Sequence, residues 1–115
     1  MPQDSLITVT DATFADVVLA GRVPIVVDFW AEWCPPCRPM AKTLAELAEE
    51  FPAEMVFAKL NADENPEATR TYRIMSMPTL LLFKQGQVVK SIVGARPKSY
   101  LREALTLTTT PYVNR

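Results

Sequence analysis

The sequence predicts an α/β domain with a central mixed sheet of about five strands flanked by about four α-helices. Three observations carry that expectation. Short apolar runs alternate with stretches of helical spacing, as in β-α-β units. The last two strand candidates are joined only by Gln85-Gly86, a hairpin signal that requires antiparallel pairing. Residues 24–30 are apolar almost without a break, the pattern of a strand covered on both faces. At 115 residues, with neither internal repeat nor linker, the chain fits one domain. The expected limits are 1–107 for the domain and 108–115 for a flexible C-terminal tail.

In chain order, residues 6–9 form a short strand candidate, and Thr10 or Asp11 can cap the helix that follows. Phe14, Val17 and Val18 recur at helical spacing up to about Ala20, and Gly21 stops that helix. After the 24–30 strand, Met40, Leu44, Leu47, Ala48 and Phe51 make one apolar stripe of a helix that must end before Pro52. Residues 55–60 read as a strand. Asn65 is then placed to cap, and Pro66 to open, a short helix to about Tyr72, because proline suits the first helical position. Strands at 79–83 and 87–93 form the hairpin. Pro97 opens the last helix, with Tyr100, Leu101, Ala104 and Leu105 expected inward, and the Thr-rich stretch from about Thr106 shows no periodicity.

Composition excludes several function classes. Twelve basic and thirteen acidic residues, spread along the chain, leave a net charge of −1, so no basic stripe marks a nucleic-acid binder and no polybasic run marks an anionic membrane. No apolar stretch is long enough to span a bilayer, and the first twenty residues lack the pattern of a secretory leader, which makes the cytoplasm the expected compartment. Histidine is absent, which removes Ser-His and Cys-His nucleophile pairs, His-ligated metals and the usual base near pH 7. The two cysteines, Cys34 and Cys37, are too few for a four-cysteine zinc site or an iron–sulfur cluster within one chain, so no metal is expected.

Cys34 and Cys37 lie three apart at an expected helix start, where they can close a small disulfide. The helix N-terminus would favour a thiolate at the first of them, and thiolate is the attacking species in disulfide exchange. A static bridge or a pair of buried thiols is the structural alternative, although a bridge this local stabilises a fold little. Asp28 falls inside the apolar run, where burial should raise its pKa, unless it sits at a strand end in water.

The stretch Val27-Asp28-Phe29-Trp30-Ala31-Glu32-Trp33-Cys34 closely resembles the active-site strand and turn of the thioredoxin family. The resemblance runs from about Ile7 to Leu105 and includes Lys59-Leu60-Asn61, Asn65-Pro66, Met77-Pro78-Thr79-Leu80, Phe83-Lys84 with Gly86, and Val93-Gly94-Ala95. It implies the thioredoxin fold and a protein disulfide reductase working through a redox-cycling Cys34–Cys37 pair. Cys34 would attack, Cys37 would resolve, and Asp28 would take the proton of Cys37 with Lys59 as its charge partner. Pro78 matches the family's cis-proline. Trp33, Pro36, Met77, Pro78 and Gly94 would form the substrate-docking surface, with Trp30 as the structural tryptophan. No cofactor is expected on this chain; NADPH and FAD would belong to a partner thioredoxin reductase, and the other partners would be disulfide-containing target proteins. A monomer is the default. The alternatives are a thiol oxidant or disulfide isomerase with a shifted potential, a redox-inert binding module on the same scaffold, and a cluster shared between two chains.

The sequence also departs from the family pattern. Thioredoxins typically carry Gly-Pro between the cysteines, where this chain has Pro35-Pro36, so the intervening backbone is stiffer. With Cys34 as the N-cap, Pro36 already removes the second capping donor, and Pro35 would remove none in addition. Pro39 is expected to bend the helix or make its start irregular, while Lys42 stands where the family's kink proline would be. Ala62 is small where a larger apolar residue is common, and Ser76 also differs; both lie near the expected groove.

Overall fold

A computed structural model describes residues 6–51 and 54–109. Five strands form one sheet: β1 (Ile7–Thr8), β2 (Ile25–Trp30), β3 (Val56–Asn61), β4 (Thr79–Lys84) and β5 (Gln87–Val93). Three α-helices, α1 (Cys37–Ala48), α2 (Pro66–Thr71) and α3 (Lys98–Thr109), and a π-helical segment at Ala15–Leu19 complete the element order expected from the sequence. The strand order is β1-β3-β2-β4-β5. β1 and β2 run parallel to β3, whereas β4 is antiparallel to β2 and to β5. The sheet is therefore mixed, with β2 at its centre.

That central place explains the composition of β2, whose first five residues are all buried. Side chains alternate between faces, so Val26 joins Met40, Leu44, Leu47 and Leu101 in the core beneath α1 and α3. Val27 and Phe29 join Phe14, Leu60, Leu81 and Phe83 on the opposite side. Asp28 has the parity of Val26 and so faces α1. In register it lies opposite Lys59 of β3 and Leu80 of β4.

Local chemistry accounts for the turns. Between β4 and β5, Gln85 and Gly86 have φ of 52° and 79°. Two positive φ angles in a two-residue loop define a type I′ turn, whose twist suits a hairpin. A Cβ on Gly86 would meet the Leu19 carbonyl oxygen at 3.0 Å, so glycine is required there on both counts.

Several elements depart from expectation. The first helix closes as a π-turn, with the Ala20 N–H donating to the Ala15 carbonyl at 3.0 Å. Asn65 precedes α2 but does not cap it with its side chain. The Asp11 carboxylate does so from 56 and 57 residues away, accepting from the N–H groups of Glu67 (3.0 Å) and Ala68 (2.9 Å). Asn65 instead accepts from the Asp11 N–H and donates to the Asn61 carbonyl, tying the two loops together. Tyr100 is not inward: it is 49% exposed, with the Arg96 guanidinium 5.7 Å from its ring centroid. Leu101, Ala104 and Leu105 do face the core. α3 continues through the Thr-rich stretch to Thr109, with the Thr108 hydroxyl donating to the Ala104 carbonyl. Residues 110–115 of the expected tail lie outside the described residues.

Candidate functional site

The site lies at the C-terminal end of β2, where the chain leaves the sheet centre and turns into α1. Ala31, Cys34 and Cys37 form a small buried cluster with Trp30 and Met77 packed against it. Cys34 and Cys37 are joined by a disulfide, their Cα atoms 5.4 Å apart. Each is only 3% exposed, while Trp33, Pro35 and Pro36 around Cys34 are all exposed.

α1 begins at Cys37, later than a cap at Cys34 would place it. The Cys37 N–H donates to the Cys34 carbonyl at 3.2 Å, and the Met40 N–H donates to the Pro36 carbonyl at 3.3 Å. Pro39 thus sits in the first helical turn, where an N–H has no partner inside the helix, so its missing donor breaks no bond. Of residues 35–39 only Cys37 and Arg38 carry an N–H. With that of Cys37 occupied, Arg38 holds the remaining backbone donor of this turn.

Asp28 is 1% exposed, and neither of its carboxylate oxygens has a hydrogen-bond partner, so the Lys59 ammonium does not bond it. Burial pushes its carboxyl from the ordinary 3.8 up to about 7, with the positive charge of half-buried Lys59 pulling in the other direction. A cleft of about 290 Å³ connects these groups, lined by Asp28, Lys59, Cys37, Glu32, Arg38 and Ala41 among others. It is large enough to hold water. Cys37 lines this cleft and Cys34 does not.

On the other side of the disulfide, the Met77–Pro78 peptide bond is cis, as the resemblance implies. The Pro78 carbonyl accepts from the Gly94 N–H at 2.8 Å, joining the loop before β4 to the residue after β5. Gly94 has φ of 89°, and a Cβ there would have no atom within 4 Å, so the surface in front of it is open. Trp33 is 63% exposed rather than part of the core, and its Nε1 donates to Asp63 Oδ2 at 2.8 Å. The fold therefore gathers Trp33, Pro36, Met77, Pro78 and Gly94 around the cysteine pair. The sequence reading missed Asp63, which fixes Trp33 from 30 residues away, and Glu32, Arg38 and Ala41 of the cleft. Only their neighbourhood to the cysteine motif could have flagged the last three.

Comparison with known sequences gives the same answer as this geometry. The sequence model of the Thioredoxin family matches residues 5–107. The chain belongs to the thioredoxin family. It is 48% identical over 104 residues to thioredoxin of Mycobacterium tuberculosis, covering 90% of each chain. It is 51% identical over 98 residues to thioredoxin of Alicyclobacillus acidocaldarius, covering 85% of this chain and 92% of that one. It is also 47% identical over 100 residues to the bifunctional thioredoxin reductase/thioredoxin of Mycobacterium leprae, covering 87% of this chain and 22% of that protein. Membership makes the chain a thiol–disulfide oxidoreductase of the disulfide-reductase type, with Cys34–Cys37 as its redox-active pair. Thioredoxins carry electrons on that pair and bind no cofactor. Among the described residues, no group of three or more His, Cys, Asp and Glu side chains is placed to hold a metal, and no helix is long and apolar enough to cross a membrane.

Proposed function

We propose that Cys34 is the attacking and Cys37 the resolving thiol of a protein disulfide reductase, with Asp28 as the proton acceptor for Cys37. The observation that carries this is the shared cleft: Cys37 and the buried Asp28 line the same water-sized space, whereas Cys34 does not line it and has exposed Trp33, Pro35 and Pro36 around it. In the reduced protein, the Cys34 thiolate attacks one sulfur of a target disulfide. A Cys34–target disulfide forms, and the other target sulfur leaves as a thiolate that takes up a proton. Cys37 then gives its proton to the Asp28 carboxylate through the cleft and attacks Cys34 Sγ, which expels the second target thiol. Both electrons end on the target, and the Cys34–Cys37 disulfide remains. A carboxyl titrating at about 7 is poised to take and return that proton near neutral pH. Lys59 opposite Asp28 supports its charged form.

Target chains dock on Trp33, Pro36, Met77, Pro78 and Gly94, with the open face at Gly94 leaving room for an extended backbone. An NADPH-dependent, FAD-containing thioredoxin reductase recharges the pair; fusion of both activities in the M. leprae relative supports that partner. The protein works as a cytoplasmic monomer.

Cys37→Ser tests the order of attack. It should accumulate a mixed disulfide with a model substrate through Cys34, seen as a mass adduct that dithiothreitol removes. Adducts on Cys37 in a Cys34→Ser variant, with none on Cys34 in Cys37→Ser, would reverse the assignment. The Pro35-Pro36 dipeptide leaves one second reading open, an oxidant or isomerase. A reduction potential at or below roughly −250 mV supports the reductase, and one of roughly −120 to −180 mV supports the other reading.

A further inference from the structure

A second cleft, of about 580 Å³, lies beside the docking surface and has no part in the thiol chemistry. It is lined by Ala62, Pro66, Ile74 and Met75 together with the charged residues Arg70, Arg73 and Asp63. Two of its residues tie it to the redox site. Asp63 is the residue that holds Trp33, and Met75 is two residues before the cis Met77–Pro78 bond. The small side chain of Ala62 leaves this space open.

Charge sets the chemistry of what fits there. Asp63 already accepts from Trp33 Nε1, and two arginines line the same cleft. Among the described residues neither guanidinium is in an ion pair: the pairs are Lys98–Glu46 and Arg102–Glu50. The carbonyls that end α2 are also occupied. The Arg73 N–H donates to Arg70 and the Ile74 N–H to Thr69, the two bonds of a Schellman motif. Arg73 stands at that motif's left-handed position, with φ of 55°, where glycine is the usual occupant. Arg73 thus lines the cleft together with Arg70 from a position whose backbone disfavours side chains. Met75, 89% exposed, adds a flexible apolar rim that can follow different chains.

We propose that this cleft is a subsite for an acidic residue of the target polypeptide, whose Asp or Glu carboxylate is held by Arg70 and Arg73 while its disulfide lies over Cys34. The proposal rests on the reductase reading and names part of its substrate preference. Guanidinium groups match a planar carboxylate with paired donors. Both arginines are exposed, so a solvent-screened pair of this kind gives about a 1.5- to 5-fold preference.

The test uses disulfide-linked peptides in which one Glu is walked from one to five residues either side of the attacked cysteine, each with its Gln counterpart. The readout is the Glu/Gln ratio of kcat/KM at each position. The wild-type ratio should reach about threefold at one position at low salt and fall toward one in 1 M NaCl. The double variant Arg70→Gln, Arg73→Gln should bring that ratio to one, as should Ala62→Leu, which fills the cleft. A structural defect would slow Glu and Gln peptides alike and leave the ratio unchanged. A ratio of one at every position in the wild type overturns the subsite, as does a preference that survives the double variant. Failure to reduce any peptide, Gln forms included, would overturn the reductase reading and the subsite with it.

Discussion

Replacing Asp28 with asparagine should stabilise the oxidised protein, and the gain should grow with pH. The folded carboxyl titrates at about 7 and an unfolded one at 3.8. Between those values the folded state holds a proton that the unfolded state has released, so stability falls as pH rises through this window. Above pH 7 both states are ionised, and the full penalty remains. The window spans about 3 pH units, and at 1.36 kcal/mol per unit the penalty saturates at about 4 kcal/mol. At pH 5 just over one unit of it has accrued. The Asp28→Asn variant has no ionisable group at this position and keeps a polar side chain of the same shape, so its advantage should increase by about 3 kcal/mol from pH 5 to pH 8.5. Urea unfolding of both oxidised proteins at intervals across that range measures it directly. A difference that stays flat would show that the Asp28 carboxyl is not held out of water, and the proton-acceptor role would lose its physical basis. Turnover supplies the complement: Asp28→Asn should slow mixed-disulfide resolution at neutral pH without weakening target docking.

Three further outcomes follow from the packing. Asp11→Ala should destabilise the fold by about 1–2 kcal/mol, the worth of a helix N-cap, because two α2 donors lose their acceptor; urea midpoints measure it. Gly86→Ala should cost at least about 1 kcal/mol through the left-handed φ and the 3.0 Å approach to the Leu19 carbonyl; a thermal midpoint equal to that of the parent would contradict it. Arg73→Gly should stabilise by up to about 1 kcal/mol by relieving the positive φ, while it removes part of the preference for acidic peptides. Urea unfolding and the Glu/Gln rate ratio check the two halves of that prediction separately.

Much of the fold was legible because its signals are local. The doubly buried β2, the Gln85-Gly86 turn and the Pro66 helix start each rest on residues within a few positions of one another. What failed to show depends on distant partners. Asn65 has the residue type of a cap, yet Asp11 reaches the same donors from the first loop once β1 pairs with β3. The Thr-rich stretch after Leu105 has weak helix propensity, but α3 carries it as far as Thr109. Tyr100 fits the helical spacing, but its ring lies at the surface beside Arg96. In the site, the cysteine motif and Asp28 are readable from sequence. The Trp33–Asp63 bond joins segments that only the fold brings together, and so does the cleft that sets Arg70 and Arg73 beside Ala62 and Asp63. About 5–6% of X-Pro bonds are cis, so nothing local marks Pro78, and only the family resemblance anticipated it.

In the proposed mechanism, the absence of histidine leaves the proton of Cys37 to Asp28. A solvated carboxylate near pH 4 is too weak a base for a thiol near about pH 8.5, and the chain has no imidazole to use instead. The central strand solves this by position. A residue in the middle of β2 has a strand on each side and α1 above it, so its carboxyl is pushed up to about 7 by the same burial that makes the core. Two features keep that burial tolerable and useful. Lys59 opposes the shift from the neighbouring strand, and the cleft lined by Glu32, Arg38 and Ala41 also takes in Asp28 and Cys37. A residue that filled the cleft at Ala41, such as leucine, should therefore slow proton transfer while leaving Asp28 in place. It should lower the rate of mixed-disulfide resolution and not the rate of the first attack. Stopped-flow separation of those two steps in Ala41→Leu distinguishes them, and an equal slowing of both would show that the cleft shapes docking rather than the path of the proton.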